Sequence, residues 1–224
     1  RAMEKMLIEN GIPSKKLAII HNPINLNKKI KTNLRKKLGL GKKKIILFVG
    51  RLSEDKGIQY VIKAIKELNV ILIIIGKGSF KRNLEILAKE NNVEKKIRFI
   101  GFLDEKELKE FYSISSIVVL TGMVYEALPR ALLEAASYGI PCITSNVGGS
   151  PDIIENEKNG VVLDSINEKE IAIAINRILN DNEVYLKYSK NNRKKIAEQF
   201  RPEIIGNKLM EEYKKSIESK SRRS

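Results

Sequence analysis

Short apolar runs and amphipathic segments alternate along the chain from residue 45 onwards, and this alternation constrains the fold more than any other feature. The runs are apolar throughout, as in Ile-Ile-Leu-Phe-Val at 45–49, which is typical of strands buried on both faces of a parallel sheet. The next segment has apolar residues at positions 58, 61, 62, 65 and 68, the spacing of an amphipathic helix. The pattern predicts an α/β domain with a doubly wound, Rossmann-like parallel sheet.

The pattern also predicts where the individual elements lie. Strands are predicted at 45–49, 70–75, 97–100, 117–120, 141–145 and 161–163. Helices are predicted at 58–68, 80–91, 105–113, 130–138, 151–156, 168–179, 183–200 and 202–217. Ahead of the alternation we predict the end of a helix at 3–10, a short strand at 15–20 and a short helix at 32–38. Ligands of doubly wound sheets bind at the carboxyl ends of the strands, so we expect functional residues in the loops that follow them.

Composition narrows the classes of partner and site. The net charge of +15, from 42 basic and 27 acidic residues, suggests a nucleotide, a nucleic acid or an acidic membrane as partner. A generally lysine-rich composition explains the same charge equally well.

Cys142 and His21 are the single cysteine and histidine of the sequence, which excludes an intrachain disulfide and a multi-histidine metal site. No apolar run reaches the roughly 18 to 20 residues that cross a bilayer.

The stretch Thr-Gly-Met-Val-Tyr-Glu-Ala-Leu-Pro-Arg-Ala-Leu-Leu-Glu at 121–134 carries the chemistry most plainly. It follows an apolar strand, and Pro129 suits the first turn of a helix. Free amide groups from Ala127 to Arg130, together with the positive end of the helix dipole, favour a phosphate there. Glu126 and Glu134 flank the same place. Since carboxylates repel phosphate, we interpret them as acceptors for the hydroxyl groups of a sugar and a ribose.

Glycine-containing loops follow the other strands. The loop Gly50–Gly57 holds Arg51 and Lys56, two cations suited to phosphates, although it matches neither a Walker loop nor a dinucleotide fingerprint. Taken alone, a charged surface loop explains it better. The turns at 76–78, 101–104 and 147–152 are explained equally well or better as plain strand-to-helix turns.

Together, the motif GRLxxxKG at 50–57, the motif E-x7-E at 126–134 running into LLEA, and the Gly148-Gly149 turn resemble the C-terminal half of retaining glycosyltransferases of the GT-B fold, of the group 1 or family 4 type. The resemblance covers roughly residues 15–200. It implies a Rossmann-like domain that binds a nucleotide-sugar donor.

The resemblance also implies residue roles. Arg51 and Lys56 would bind the diphosphate, Glu134 the ribose hydroxyls, and Glu126 the donor sugar near the reacting carbon. The backbone at Phe102 and Leu103 would contact the base. The amide groups after Glu126 would bind the distal phosphate. The implied catalytic residues are Glu126, Arg51 and Lys56. The implied donor-binding residues are Gly50, Arg51, Lys56, Phe102, Leu103, Glu126, Ala127, Leu128, Pro129, Arg130, Leu132 and Glu134.

Two positions depart from the family's pattern. Ala127 stands where the family usually has Gly, which narrows the room for a sugar ring, and Asp152 stands where Glu is common. The sequence has no Asp-x-Asp metal motif, and we expect neither a metal nor a cofactor. A metal is not needed if two cations and a helix N-terminus offset the charge that develops on a leaving diphosphate. The transition state would be oxocarbenium-like. Retention of configuration is implied by the resemblance alone.

The expected organisation has four parts. Residues 1–14 would be the end of an N-terminal acceptor domain, 15–44 a linker, 45–200 the nucleotide-sugar-binding domain, and 201–224 a helix crossing back plus a basic tail. We therefore expect a piece of a longer protein that binds donor but has little or no transferase activity alone. Its partners would be the donor, the missing N-terminal domain and an anionic membrane surface. The expected location is cytoplasmic or peripheral on the cytoplasmic face of the membrane.

Other classes remain open at this point. A sugar-nucleotide epimerase or a phosphorylase of related fold is the first alternative, but those groups use different anion-binding residues. A nucleic-acid-binding α/β module is the second. Aromatic residues make up only 6% of the chain, so few side chains could stack on nucleic acid bases. We therefore expect no specific nucleic acid partner. The donor base, the sugar, the acceptor and the oligomeric state are not determined.

Overall fold

The computed structural model describes residues 2–221, and within them six parallel strands form one sheet. The order across the sheet is β3-β2-β1-β4-β5-β6. The chain runs outward from β1 in one direction and then from β4 in the other, which leaves a crevice at the carboxyl ends of β1 and β4. The strands are β1 (Lys44–Val49), β2 (Val70–Ile75), β3 (Ile97–Gly101), β4 (Ile117–Leu120), β5 (Cys142–Ser145) and β6 (Gly160–Leu163).

Helices cover both faces of the sheet. Successive side chains of a strand point to opposite faces, and every side chain of β2, β4 and β5 is buried. The doubly wound parallel sheet expected from the apolar runs is thus confirmed. The helices are α1 (Ala2–Glu9), α2 (Leu34–Lys37), α3 (Ile58–Ala64), α4 (Lys81–Glu90), α5 (Glu105–Ile114), α6 (Arg130–Ser137), α7 (Ser150–Ile153), α8 (Glu168–Asn180), α9 (Asn182–Gln199) and α10 (Pro202–Ser221).

The strand predicted at 15–20 is wrong. Ser14–Lys16 forms a single turn of 3₁₀ helix, and residues 17–32 have no regular secondary structure. This segment runs across the ends of two helices, where Ile24 N donates to Phe200 O (2.7 Å) and Asn27 N donates to Ser137 O (3.2 Å). These backbone hydrogen bonds tie the segment to the two helices, and within residues 2–221 it pairs with no strand of the sheet.

Several predicted helices are shorter than expected. The helix predicted at 58–68 ends at Ala64, because residues 65–69 turn into β2. Lys96 stabilises that turn, since its Nζ donates to the carbonyl oxygens of Ile65, Lys66 and Leu68 at 3.2, 2.6 and 2.9 Å. The helices predicted at 32–38 and 151–156 are each four residues long, α2 and α7.

The two ends of the chain carry further expectations. Helix α10 extends beyond the predicted limit of 217, and residues 222–224 of the expected basic tail lie outside the described residues. Among residues 2–221, no helix combines the length and the apolar character needed to cross a membrane.

Candidate functional site

The loops after β1 and β4 meet where the strand order reverses, and they border a cleft of about 600 Å³. The cleft lies at the carboxyl ends of these strands, as the fold predicts. One wall carries cations from the β1 loop, and the other carries carboxylates from the β4 loop and α6. The lining residues are Val49, Gly50, Arg51, Lys56, Leu108, Leu120, Val124, Tyr125, Glu126, Pro129, Arg130, Ala131 and Glu134.

Close packing of backbone holds the β1 loop in place. Gly57 has a positive φ of 68°, and a Cβ atom there would lie 2.2 Å from Thr121 O. A Cβ atom on Gly76 or Gly78 would lie 1.8 Å from Gly50 O or 2.0 Å from Leu52 O. Glycine is needed at these positions because the loops touch each other backbone to backbone. The turn at 76–78 therefore supports the site from behind.

Lys56 lies between the two walls of the cleft. Its side chain is only 13% exposed, and its Nζ lies 2.7 Å from Glu126 Oε2. Glu126 is 44% exposed and also lines the adjoining pockets. A predicted phosphate-binding cation and a predicted sugar-binding carboxylate are thus in direct contact.

The Gly148-Gly149 turn supports the Glu126 loop. Gly149 N donates to Glu126 O at 2.8 Å. A Cβ atom on Gly148 would lie 2.2 Å from Glu126 O, and one on Gly149 would lie 1.9 Å from Ala127 O. The paired glycines thus bring this turn into close contact with the backbone of the site loop.

Glu134 is held on both of its oxygens. Tyr112 Oη donates to Oε2 at 2.9 Å, and Arg130 Nε donates to Oε1 at 2.8 Å. The hydrogen bond and charge of Glu134 raise the pKa of the Arg130 guanidinium above its ordinary value. Glu134 is 16% exposed and borders both the main cleft and a second pocket of about 320 Å³.

Arg51 lies exposed at the mouth of the cleft. Its Nε donates to Ser53 Oγ at 3.3 Å, and its guanidinium lies 3.6 Å from Asp55 Oδ2. A hydrogen bond from Ser53 and the charges of Lys56 and Arg51 lower the pKa of the Asp55 carboxyl. The β1 loop therefore carries an internal anion that orients Arg51.

Helix α6 begins at Arg130, as predicted, with Pro129 just before it. The amide groups of Ala127, Leu128 and Arg130 donate to no backbone acceptor within residues 2–221. Ala127 and Leu128 line a neighbouring pocket of about 360 Å³ that also contacts Glu126. These amides are available to an anion at the positive end of the helix.

Five predicted residues lie outside the lining of the main cleft. Two of them, Ala127 and Leu128, line the neighbouring pocket. Leu132 is fully buried in the core, and its amide donates to Pro129 O at 3.1 Å. It lies two residues after Arg130 on α6, and such residues point in different directions on a helix. Leu103 packs against the core, and Phe102 is exposed with Lys77 Nζ 5.9 Å from its ring centroid.

Several residues near the cleft were missed by sequence reasoning. Leu108, Val124 and Tyr125 line it, and Tyr112 contacts Glu134 from behind. An aromatic residue in an amphipathic helix is usually a core residue, so no sequence pattern distinguished Tyr112 from the other core residues. Within the described part of the chain, no group of three or more His, Cys, Asp or Glu side chains could hold a metal ion.

The family model for "Glycosyl transferases group 1" matches residues 30–195. This chain belongs to the glycosyl transferases group 1 family. The resemblance drawn from the motifs is thus confirmed. The model spans the β1 loop, the E-x7-E stretch and the Gly-Gly turn.

Curated relatives of this group 1 chain are longer than it is. An uncharacterized glycosyltransferase of Methanocaldococcus jannaschii is 34% identical over 94% of this chain and 57% of the relative. Spore coat protein SA of Bacillus subtilis is 32% identical over 86% of this chain and 54% of the relative. The chain thus spans a little over half the length of these relatives.

Solved structures share the fold of this group 1 domain. Anabaena HepE, in complex with UDP and glucose, superposes with a TM-score of 0.86 at 22% identity, over 94% of this chain and 60% of that one. The C-terminal domain of a group 1 family protein from Francisella tularensis has a TM-score of 0.69 at 24% identity, over 82% of this chain and 97% of that one. The GT-B type of Rossmann-like fold is confirmed.

Proposed function

We propose that this chain is the donor-binding half of a glycosyltransferase that moves a sugar from a nucleoside-diphosphate sugar to an acceptor. One observation carries the proposal: a single cleft at the switch point of the sheet joins Arg51 and Lys56 to Glu126 and Glu134. Relatives agree with this class of substrate. HepE was crystallised with UDP-glucose, and a 26% identical Mycobacterium tuberculosis relative is a GDP-mannose-dependent mannosyltransferase.

The diphosphate would lie against Lys56 and Arg51. Lys56 is held in place by packing and by Glu126, whereas Arg51 is exposed and can close over the ligand. The free amides of Ala127, Leu128 and Arg130 would contact the distal phosphate. Hydrogen bonds that carry a full charge are about twice as strong as neutral ones, so these groups would provide most of the affinity.

The two carboxylates would bind hydroxyl groups at the two ends of the donor. Glu134, oriented by Tyr112 and Arg130, would accept hydrogen bonds from the ribose. Glu126, next to Lys56, would accept from the transferred sugar near its reacting carbon. Gly50 would let the ligand approach the backbone, and the backbone of Phe102, an exposed residue, would contact the base.

The chemical step would break the bond between the anomeric carbon and the diphosphate oxygen. Negative charge would develop on the leaving diphosphate, and Arg51 and Lys56 would stabilise it. Two cations and a helix N-terminus are sufficient in kind for this role, so we propose a metal-independent reaction. We propose retention of the anomeric configuration because the E-x7-E and GRLxxxKG motifs occur together in retaining enzymes.

The acceptor site would come from a second domain. We propose that the part of the longer relatives that this chain does not cover corresponds to an N-terminal acceptor domain. Helices α1 and α10 would pack against that domain. The net charge of +15 would attract the enzyme to the anionic face of a membrane. Sedimentation with vesicles that is independent of their anionic lipid content would exclude that attraction.

Calorimetric titration with UDP, GDP and ADP in EDTA tests the donor site. The wild type is expected to bind one nucleotide most tightly, and the double variant Arg51→Ala, Lys56→Ala to bind it at least about tenfold more weakly. The matched control Arg82→Ala, Lys89→Ala removes the same charge from exposed positions on α4. Equal losses in both double variants would show nonspecific charge, and binding that requires added Mg²⁺ would overturn the metal-independent mechanism.

A further inference from the structure

We propose that Tyr112 is a positioning residue, which fixes the Glu134 carboxylate so that it accepts hydrogen bonds from two adjacent hydroxyl groups of the donor's ribose. This inference rests on the proposed donor site. It assigns to a buried core residue a part in selecting ribose-containing ligands.

The contact crosses two helices. Tyr112 lies on α5 and Glu134 on α6, and Tyr112 Oη lies 2.9 Å from Glu134 Oε2. Tyr112 is only 2% exposed. The hydroxyl group at the end of this apolar ring is therefore hydrogen-bonded within the protein.

The direction of this hydrogen bond is determined. Burial, together with the charge of Glu134, raises the pKa of the Tyr112 hydroxyl well above its ordinary value. Tyr112 thus stays protonated and donates, while an ionised carboxylate can only accept. The bond has a charged acceptor, and such bonds are stronger than neutral ones.

The two partners of Glu134 occupy about half of the hydrogen-bond acceptor positions of its carboxylate. A carboxylate offers about four acceptor positions on its two oxygens. Tyr112 takes one position on Oε2, and Arg130 takes one on Oε1. One position remains on each oxygen, and Glu134 borders the open cleft. Two adjacent hydroxyl groups, as on a ribose, match that pair of acceptors.

Tyr112 is the rigid partner of the two. The Arg130 side chain is 76% exposed and belongs to the same helix as Glu134. The Tyr112 ring stacks on Tyr138, with 5.4 Å between ring centroids and 17° between planes. Loss of Arg130 leaves Glu134 anchored to a second helix, whereas loss of the Tyr112 hydroxyl leaves it held by an exposed side chain of its own helix.

The test compares ribose and 2′,3′-dideoxyribose forms of UDP, GDP and ADP by calorimetric titration of the whole chain. Tyr112→Phe removes only the hydroxyl and keeps the ring. Tyr138→Phe is the matched control, because Tyr138 shares the stack while its hydroxyl has no hydrogen bond to Glu134 among the described residues. The wild type is expected to prefer the ribose form by at least about tenfold, since two hydrogen bonds to a charged acceptor are at stake.

In Tyr112→Phe we expect that preference to fall at least about threefold, with the affinity for the dideoxy form unchanged, as expected for one hydrogen bond to a charged group. Tyr138→Phe should keep the preference. In a Glu134→Gln background, Tyr112→Phe should have no further effect on it, because both changes act on one contact.

Different failures are distinguishable. If the wild type binds no nucleotide, or binds both sugar forms equally, the proposed donor site fails and the role of Tyr112 with it. If the wild type prefers ribose and Tyr112→Phe keeps the full preference, only the role of Tyr112 is overturned. Equal weakening of both forms in Tyr112→Phe would show a structural role and would also overturn the proposal.

Discussion

Lys56 and Glu126 are 70 residues apart in the chain, and their side chains form an ion pair of 2.7 Å across the cleft. A carboxylate thus contacts the same cation that would bind the proposed diphosphate. The pair also holds the β1 loop to the β4 loop. Donor binding would exchange this contact for one between Lys56 and phosphate, and would release Glu126 toward the sugar.

We predict that Glu126→Gln binds the preferred nucleoside diphosphate about two- to fivefold more tightly, because a nearby carboxylate both repels the anion and competes for Lys56. Titration of wild type and variant at one salt concentration measures the change. Glu54→Gln removes a charge from the exposed β1 loop and should have a smaller effect. Weaker binding by Glu126→Gln would mean that Glu126 orients Lys56 for the ligand.

We predict that Gly149→Ala destabilises the fold by about 1–3 kcal/mol, the usual range for overpacking, and weakens nucleotide binding. The new Cβ would lie 1.9 Å from Ala127 O, so the 126–128 loop must move. Gly122→Ala is the control, because a Cβ there meets no atom within 4 Å. Urea unfolding and titration measure both effects. Unchanged nucleotide affinity in a destabilised Gly149→Ala would separate this loop from the binding site.

We predict a pH-dependent loss of stability in Glu155→Gln. Hydrogen bonds from Lys158 and Lys195 lower the pKa of Glu155 from 4.5 to about 2. A lowered pKa in the folded state means that the ionised carboxylate stabilises the fold above pH 4.5, and that this contribution disappears as the pH falls toward 2.

Urea unfolding of wild type and Glu155→Gln should therefore differ at pH 7 and converge toward pH 3. Glu198→Gln, which removes an exposed acid 3.8 Å from Lys194, serves as the control. A difference for Glu155→Gln that grows on acidification would contradict the assignment.

We predict that Cys142 is unreactive in the folded protein. The thiol is fully buried in β5 and donates to Ile140 O at 3.3 Å, and burial raises its pKa. Since the thiolate is the reactive form, a thiol reagent should label it only after unfolding in guanidinium. Rapid labelling without denaturant, at a rate above that of global unfolding, would show local opening of the sheet at β5.

Much of the fold could be predicted because its cause is local. Strands buried on both faces must be apolar throughout, so β1, β2 and β4 were located to within about a residue. The helix predicted to start near Pro129 was found for a similar reason, since proline suits only the first turn of a helix. The strand predicted at 15–20 failed because a short apolar run also fits an irregular segment that pairs with no strand of the sheet.

The candidate site could be predicted only in part. The residue types of Arg51, Lys56 and Glu134 pointed to phosphate and hydroxyl binding through their chemistry and their motifs. Leu132 belonged to the same stretch, yet its place on α6 turns it into the core. Tyr112 was missed because its function depends on one atom at the end of an apolar ring.

The sequence by itself determined the alternating elements, the family and the chemical character of the loops. The tertiary structure alone decided which of these groups touch: Lys56 with Glu126, Tyr112 with Glu134, and the Gly148-Gly149 turn with the Glu126 loop. The physical reason is that burial and turn preferences act over a few neighbouring residues. Contacts between distant loops depend on the order and register of the strands, which no short stretch of sequence specifies.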